Sequence, residues 1–371
     1  MTVDSFLRVI VSDAGRDGAW DDFVASAPGG DHVQSSGWAR TKASQGYAAI
    51  RVVLERDDRI VAGAQILVRG LPVLGGIGYV PRGPVVAAGN EGDAGRVIEQ
   101  LKLVARRRRI RHLVVQPGRE CEWIAEMLPD RGFVPSAMAV APTATVLVDL
   151  TRDLDELFRG FSKSARQHVR RGLREGVVVR EGTVDDLGAF HALVVATAER
   201  NGFTPYAREY FETMWRAFHT DGHLRLFLAE YQQEAVSAHL VVPFGEHLLS
   251  KVAAWSGKHA RVYPNEVLEW HLMGWAKAHG FRAYDLEGVD RKTAERLLAD
   301  TSAPVRVANT VDAFKLKFGG RAILLPTAYD YFPSGLLART YGRAYRTAFS
   351  GGWPKASIAR VRTRSGKASP A

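Results

Sequence analysis

The sequence predicts an α/β protein made of two copies of one unit, with mixed sheets flanked by helices. Three observations carry this. The same order of helical and strand patterns runs through the chain twice, two central hairpins align at a fixed offset, and the composition suits a large core. With 371 residues, 46% hydrophobic and 24% charged, the chain is long enough for two globular domains.

In the first unit an alternating apolar stretch over 6–11 reads as a strand, and 15–27 and 37–45 read as short helices. Runs over 48–55 and 60–68 flank the polar turn Arg56-Asp57-Asp58-Arg59 and form a hairpin. A third run, 73–80, leads into the corner Tyr79-Val80-Pro81-Arg82-Gly83-Pro84. A helix over 93–109, a strand over 112–116, a helix over 122–128 and a strand over 143–150 close the unit.

The second unit opens on a basic helical segment. A helix follows over 185–201, with Asp185 as N-cap and Gly202 as stop signal, then another over 208–219. Strands over 224–231, 235–243 and 247–255 make the second meander. A helix over 265–279, ended by Gly280, leads to a strand over 282–286. The hairpins align at 174 positions: Leu54, Ala64, Ile66 and Leu67 precede Leu228, Ala238, Leu240 and Val241. The domains expected are therefore 1–150 and 151–330, followed by a tail over 331–371.

That tail carries eight basic residues and no acidic one, so it holds most of the net charge of +10. Its basic residues are Arg339, Arg343, Arg346, Lys355, Arg360, Arg362, Arg364 and Lys367. Such a segment serves solubility or draws the chain to a polyanion, either RNA or the anionic inner membrane leaflet. No basic-apolar leader and no apolar run of about 18 residues occurs, so secretion and membrane spanning are not expected. Cys121 is the single cysteine, which rules out an internal disulfide and a cysteine-cluster metal site and agrees with a cytoplasmic location.

The corner pins one arginine between two prolines and a glycine. Each proline fixes its own φ and steers the residue before it away from helix, so Arg82 should stand on a stiff platform. A solvated turn is the plain alternative.

Two helices before a three-stranded antiparallel meander, then helix, strand, helix, strand, resemble the Gcn5-related N-acetyltransferase (GNAT) fold. A tandem pair of such units is similar to the Fem family of peptidyltransferases. The residues carrying this resemblance are Gln34 to Lys42 (QSSGWARTK), Tyr79 to Val85 (YVPRGPV), Lys163 to Gly176 (KSARQHVRRGLREG) and Phe314 to Gly320 (FKLKFGG). Tyr263-Pro264-Asn265 with Trp270, and Tyr284-Asp285 with Gly288, also fit. The resemblance covers roughly 30–330 and implies transfer of an amino acid from aminoacyl-tRNA to the stem peptide of a peptidoglycan precursor. In that family an acidic residue usually follows the corner, whereas Val85-Val86-Ala87-Ala88 is apolar here. The corner is thus expected to hold substrate, not to move a proton.

The implied reaction, attack of an amine on an aminoacyl ester, is downhill and needs no metal or cofactor. Alignment can supply roughly 7 to 11 kcal/mol and one oxyanion donor about 3 to 4. On the donor side the resemblance points to Lys315 and Phe314 as catalytic residues. Lys315 and Lys317 would share one face of an extended segment, with the phenylalanines as anchors or stacking surfaces. In the basic segment, Lys163, Arg166 and Arg170 fall on one helical face suited to tRNA phosphates, with Phe158, Phe161 and Val169 inward. Arg106 to Arg109 lie at a helix end, where cations complement the dipole.

On the acceptor side, a lipid-linked or UDP-linked muramyl peptide calls for cations at phosphate and flat rings at sugar or base. Trp38, Lys42, Tyr79 and Arg82 have these types in the first unit, and Tyr206, Arg208, Tyr210 and Trp255 in the second. The acceptor cleft is expected in the first domain, in a monomer. Asp285, Glu287 and Asp290 at a strand end could include a general base. Gln34-Ser35-Ser36-Gly37-Trp38-Ala39 mimics an acetyl-CoA pyrophosphate motif but precedes an early helix, and His219 with His223 lacks a third metal ligand. A small peptide metabolite as acceptor, an acyl-CoA-dependent N-acyltransferase, and a non-catalytic RNA-binding or membrane-surface protein remain as alternatives.

Overall fold

The computed structural model describes residues 7–71, 75–299 and 310–335, so the expected basic tail lies almost wholly outside the described residues. In the first half the elements are β1 (Leu7–Ser12), α1 (Gly18–Ser26), α2 (Ser36–Ala43), β2 (Tyr47–Arg56), β3 (Arg59–Leu71), β4 (Gly75–Pro81), β5 (Val85–Val86), α3 (Asp93–Arg107), β6 (Ile110–Gln116), α4 (Glu122–Met127), β7 (Val134–Pro135) and β8 (Ala144–Asp149). The second half continues with α5 (Leu154–Gly160), α6 (Lys163–Arg174), β9 (Val178–Glu181), α7 (Leu187–Asn201), α8 (Arg208–Phe218), β10 (Arg225–Tyr231), β11 (Glu234–Phe244) and β12 (His247–Trp255). It ends with α9 (Pro264–Ala278), β13 (Ala283–Asp285), α10 (Arg291–Ala299), α11 (Thr310–Leu316), β14 (Arg321–Leu324) and β15 (Tyr329–Tyr331).

Local chemistry sets several of these boundaries. Asp17 and Ser35 cap α1 and α2 through side-chain oxygens. The expected N-cap Asp185 lies instead within a short 3-10 turn, Val184–Asp186, which Thr183 and Asp186 close with a capping box, and α7 follows it with no side-chain cap of its own. Gly202 ends α7 at φ +71°, a conformation that favours glycine.

Among the described residues two sheets form, in the orders β1-β2-β3-β4-β6-β15-β7 and β14-β8-β13-β12-β11-β10-β9, with β5 paired to β3. The expected boundary at 150 is corrected by this pairing. Strand β8 bonds to β13 and β14 in the second sheet, while β15, from the end of the second unit, joins β6 and β7 in the first. An apolar six-residue run carries no mark of which sheet it will join, so chain order alone assigned it to the wrong unit.

The hairpin repeat is real, but its offset is 175, not 174. Leu54 pairs with Ala62 and Ala229 with Ser237, each next to a bulge, and the turns fall at Asp57-Asp58 and Gln232-Gln233. A one-residue slip exchanges the two faces of a strand. At the corrected offset Ile66 and Val241 both face their own domain's helical core, and Leu67 and Val242 both face the domain interface.

Helix α3 covers the outer face of the first sheet and α6 and α9 that of the second. Between the units Trp20, Trp38, Phe190, Phe211, Met214 and Phe218 build one shared core. Arg40 crosses that seam to donate to the Ala217 carbonyl at 2.6 Å. Gly172 lets α6 sit against α9: a Cβ there would lie 2.5 Å from Val267 Cγ2 and 2.6 Å from the Val262 carbonyl oxygen. Gly172→Ala is therefore expected to destabilise the protein by about 1–3 kcal/mol, since backbone cannot yield as a side-chain tip can. An unchanged Tm would refute the close approach.

Candidate functional site

A cavity of about 690 Å3 opens between the two domains. Helix α2 contributes Trp38 and Lys42, the first sheet Tyr47, Arg69 and Tyr79, and the proline corner Arg82. From the second domain come Tyr206 and Tyr210 near the start of α8, Lys251 on β12, and Asp285 and Glu287 after β13. The crossover from β7 to β8, residues 137–142, forms a further wall. Gln116 at the end of β6 staples this crossover: its Oε1 accepts from the Val140 and Ala141 amides at 2.9 Å, and its Nε2 donates to the Pro326 carbonyl at 2.9 Å.

Cations and rings alternate along the cleft. Lys42 Nζ lies 4.9 Å from the Trp38 ring centroid and donates to Gln45 Oε1 at 2.7 Å. Lys251 Nζ sits 5.1 Å from the same ring and donates to Glu287 Oε1 at 2.9 Å. Burial, and then the Lys251 charge, pull the Lys42 amine down to about 8. Tyr206 and Tyr210 stack at 4.2 Å, and burial pushes both phenols up.

The corner does not project its arginine into solvent. Arg82 takes φ +56°, a left-handed conformation that a non-glycine residue adopts at a cost of roughly 1–2 kcal/mol, and its side chain is buried. Nη2 donates to the Pro142 carbonyl at 2.7 Å, Nε stands 3.9 Å from Asp31 Oδ2, and Nη1 has no partner among the described residues. Burial lowers its pKa, against the opposing pull of Asp31, Asp285 and Glu287. Gln34 holds the corner from behind, donating to the Pro81 carbonyl at 2.6 Å and accepting from the Gln65 amide at 2.7 Å. That carboxamide is internal, so the resemblance of its motif to a pyrophosphate loop has no counterpart in space. The apolar Val85-Val86 that follows is a buried strand on β3.

Asp285 supplies a carboxylate near the arginine. It is buried, accepts from Thr145 Oγ1 at 2.5 Å and from the Glu287 amide at 2.9 Å, and faces Arg119 Nη1 at 3.4 Å. Burial raises its pKa in spite of those donors. Asp290 instead caps α10, accepting from Thr293 N at 2.9 Å.

Of the residues singled out from sequence, Trp38, Lys42, Tyr79, Arg82, Tyr206 and Tyr210 meet in this cleft. Arg208 and Trp255 do not line it. Arg208 is two residues from Tyr210 on a helix, hence on another face, and pairs with Glu212 at 2.8 Å. Trp255 lies four residues beyond Lys251, about 13 Å along the strand, and packs under Arg200 at 4.7 Å.

The Phe314 to Phe318 segment is not extended. Phe314 and Lys315 end α11 and Lys317 lies in the following turn, so the two lysines do not share a strand face. Lys315 Nζ reaches the back of the cleft loop, donating to the Gly288 carbonyl at 2.6 Å and also to that of Glu287. Lys317 donates to Glu266 at 2.8 Å and lies 4.0 Å from the Phe314 ring centroid. On α6, Lys163 and Arg170 are exposed, while Arg166 turns back to the Arg159 carbonyl at 2.9 Å and caps α5. His219 and His223 each bond a backbone carbonyl, Leu224 at 3.1 Å and Pro243 at 2.9 Å.

Sequence reasoning missed Lys251, Asp31, Arg69 and Gln116. Lys251, a lone lysine in the apolar strand His247–Trp255, carried the one usable signal, because a cation in such a strand needs a wet cavity or a partner.

A sequence model of the FemAB family matches residues 17–124, and one of an acetyltransferase (GNAT) domain matches 159–293. Lipid II:glycine glycyltransferase of Staphylococcus aureus strain MRSA252 is 29% identical over 249 residues, 64% of this chain and 59% of that protein. Curated relatives from other strains of that species, such as USA300, match over the same shares. The chain thus spans about 59% of the length of these relatives. Among solved structures, FemX superposes with a TM-score of 0.76 at 21% identity, covering 90% of this chain and 99% of that one. A tandem GNAT protein from the clavulanic acid biosynthesis pathway gives 0.52 at 12% identity, covering 89% and 99%. The fold is a tandem pair of GNAT-like units.

Proposed function

We propose that the chain is a member of the FemAB family, whose sequence model matches residues 17–124, and an aminoacyltransferase acting on a peptidoglycan precursor in bridge formation, as its 29%-identical relatives suggest. The donor is aminoacyl-tRNA and the acceptor an amine of a lipid-linked or UDP-linked muramyl peptide, met at the cytoplasmic side by a monomer. The observation that carries this reading is the interdomain cleft, where Lys42, Arg69 and Lys251 stand among Trp38, Tyr47 and Tyr79. Cations grouped along one cleft suit a diphosphate, and the rings offer flat apolar faces to sugar and base.

In the reaction the acceptor nitrogen attacks the ester carbonyl carbon, the C–N bond forms, the C–O bond breaks, and the ribose oxygen leaves with a proton. The cleft's share is alignment and charge. Asp285, buried and with its pKa raised, is placed to accept the proton that the attacking ammonium must lose. Lys315 fixes the 287–288 loop that presents it. The exposed Lys163 and Arg170 give the tRNA backbone an electrostatic landing face outside the cleft.

Full-length protein incubated with a mixed pool of charged tRNAs and UDP-muramyl pentapeptide should yield a pentapeptide heavier by one aminoacyl residue in mass spectrometry. Absence of any adduct with both UDP-linked and lipid-linked acceptors would sink the proposal. Heat on titration with acetyl-CoA would favour the acyl-CoA alternative.

A further inference from the structure

Behind the cleft lies a second cavity of about 340 Å3, walled by residues 25–31, the loop after β6 at Arg119, and the β11–β12 turn with His247. Asp31, Arg82, Asp285 and Leu325 line both cavities and so form the partition between them. At this partition one oxygen of each carboxylate is taken, Asp31 Oδ1 by His32 Nδ1 at 2.8 Å and Asp285 Oδ1 by Thr145 and the Glu287 amide, while the two guanidinium contacts to the other oxygens are long. Arg82 Nε is 3.9 Å from Asp31 and Arg119 Nη1 is 3.4 Å from Asp285, whereas a well-made pair closes to about 2.7–2.9 Å. None of these four side chains is more than 29% exposed. Arg82 Nη1 is buried without a partner among the described residues, and an unpaired buried N–H is costly.

Two guanidiniums facing the Oδ2 atoms of two carboxylates at 3.9 and 3.4 Å leave room for a ligand that carries both signs. A carboxylate answers Arg82 and Arg119, and an ammonium answers Asp31 and Asp285. A lone anion would also meet the rim carboxylates Glu120 and Glu246, which disfavour it.

We propose that this partition binds an α-ammonium carboxylate head, amine and carboxylate on one carbon, belonging to the acceptor peptide. The inference rests on the aminoacyltransferase reading. A donor amino acid esterified to tRNA has no free carboxylate, so the head with both charges belongs to the acceptor. The acceptor side chain is then of the diamino-dicarboxylate type, as in diaminopimelate, and not lysine, whose terminal amine stands alone.

Calorimetry on the full chain tests this without any transfer step. The probes are two N-acetylated, C-terminally amidated peptides, Ala-γ-Glu-X-Ala, with X either diaminopimelate or lysine, so that they differ only in the head's carboxylate. The wild type should bind the diaminopimelate peptide at least tenfold more tightly. Arg119→Gln should reduce that preference to threefold or less, with Arg119→Lys intermediate and Glu246→Gln on the rim retaining it. Equal binding of both peptides by the wild type, or a full preference surviving in Arg119→Gln protein with an unchanged melting curve, would overturn the assignment. Binding preference without transfer would count against the enzymatic reading and leave this site standing.

Discussion

Arg82→Ala is expected to lower kcat/KM for the acceptor by about 10²-fold, with most of the loss in acceptor KM and little in the donor's. A charge-assisted hydrogen bond from a buried guanidinium contributes about 1.5–3 kcal/mol, and 10² corresponds to about 2.7 kcal/mol. Arg82 brings an unfilled Nη1 to the cleft and anchors the crossover wall through the Pro142 carbonyl. Its removal also leaves Asp31 without the cation that, together with His32, holds its carboxyl below the usual range although burial pushes it up. Arg82→Lys should rescue little, because an ammonium cannot reach Pro142, Asp31 and a ligand at once in a planar fork. Steady-state kinetics with each substrate varied in turn reads the split, and a circular-dichroism melt separates it from unfolding. Equal loss in both KM values, or none, would refute a role confined to the acceptor.

The architecture was legible because its signals are local. Capping residues, the Gly202 stop and alternating strands each act within a few residues, so both meanders and the helices α3, α7, α8 and α9 follow from pattern. What failed depends on partners distant in sequence. The 143–150 run was read as a strand correctly, yet its sheet is decided by β13 and β14, more than a hundred residues on. The Phe-Lys-Leu-Lys-Phe alternation suggested period two, but Phe314 and Phe318 are also four apart, and packing of one against the other at 5.0 Å ends a helix there.

The site divides along the same line. Residues set in stiff local motifs, such as Trp38 and Lys42 on a capped helix and Tyr79 and Arg82 at the proline corner, could be singled out one at a time. Lys251, Asp31 and Asp285 come to the cleft only when the second domain docks through Trp38, Phe211 and Phe218. Their roles depend on the neighbours they acquire: Lys251 depresses Lys42, and Asp31 and Asp285 set the charge around Arg82. The corner itself continues apolar through Val85-Val86, and the carboxylate near Arg82 comes from the second unit, at Asp285.

Lys42→Met should weaken binding of the UDP-linked acceptor by 10- to 100-fold while making the free protein more stable at pH 7. The two effects share one cause. An amine that titrates near 8 in the folded chain, against 10.5 unfolded, is held charged at neutral pH at a cost of about 3 kcal/mol. Between pH 8 and 10.5 the unfolded state carries the extra proton, so wild-type stability should rise with pH across that window, and the methionine variant should lack the rise. Below pH 8 both states are protonated and the slope vanishes. A diphosphate diester, which does not itself titrate here, favours the ammonium form, so binding at pH 8.5 should take up a fraction of a proton and affinity should decline above pH 8. Calorimetry in two buffers of different ionisation enthalpy measures that uptake directly. If wild type and Lys42→Met bind alike and neither takes up a proton, the diphosphate does not sit at Lys42, and the aromatic-cation cleft serves some other part of the acceptor.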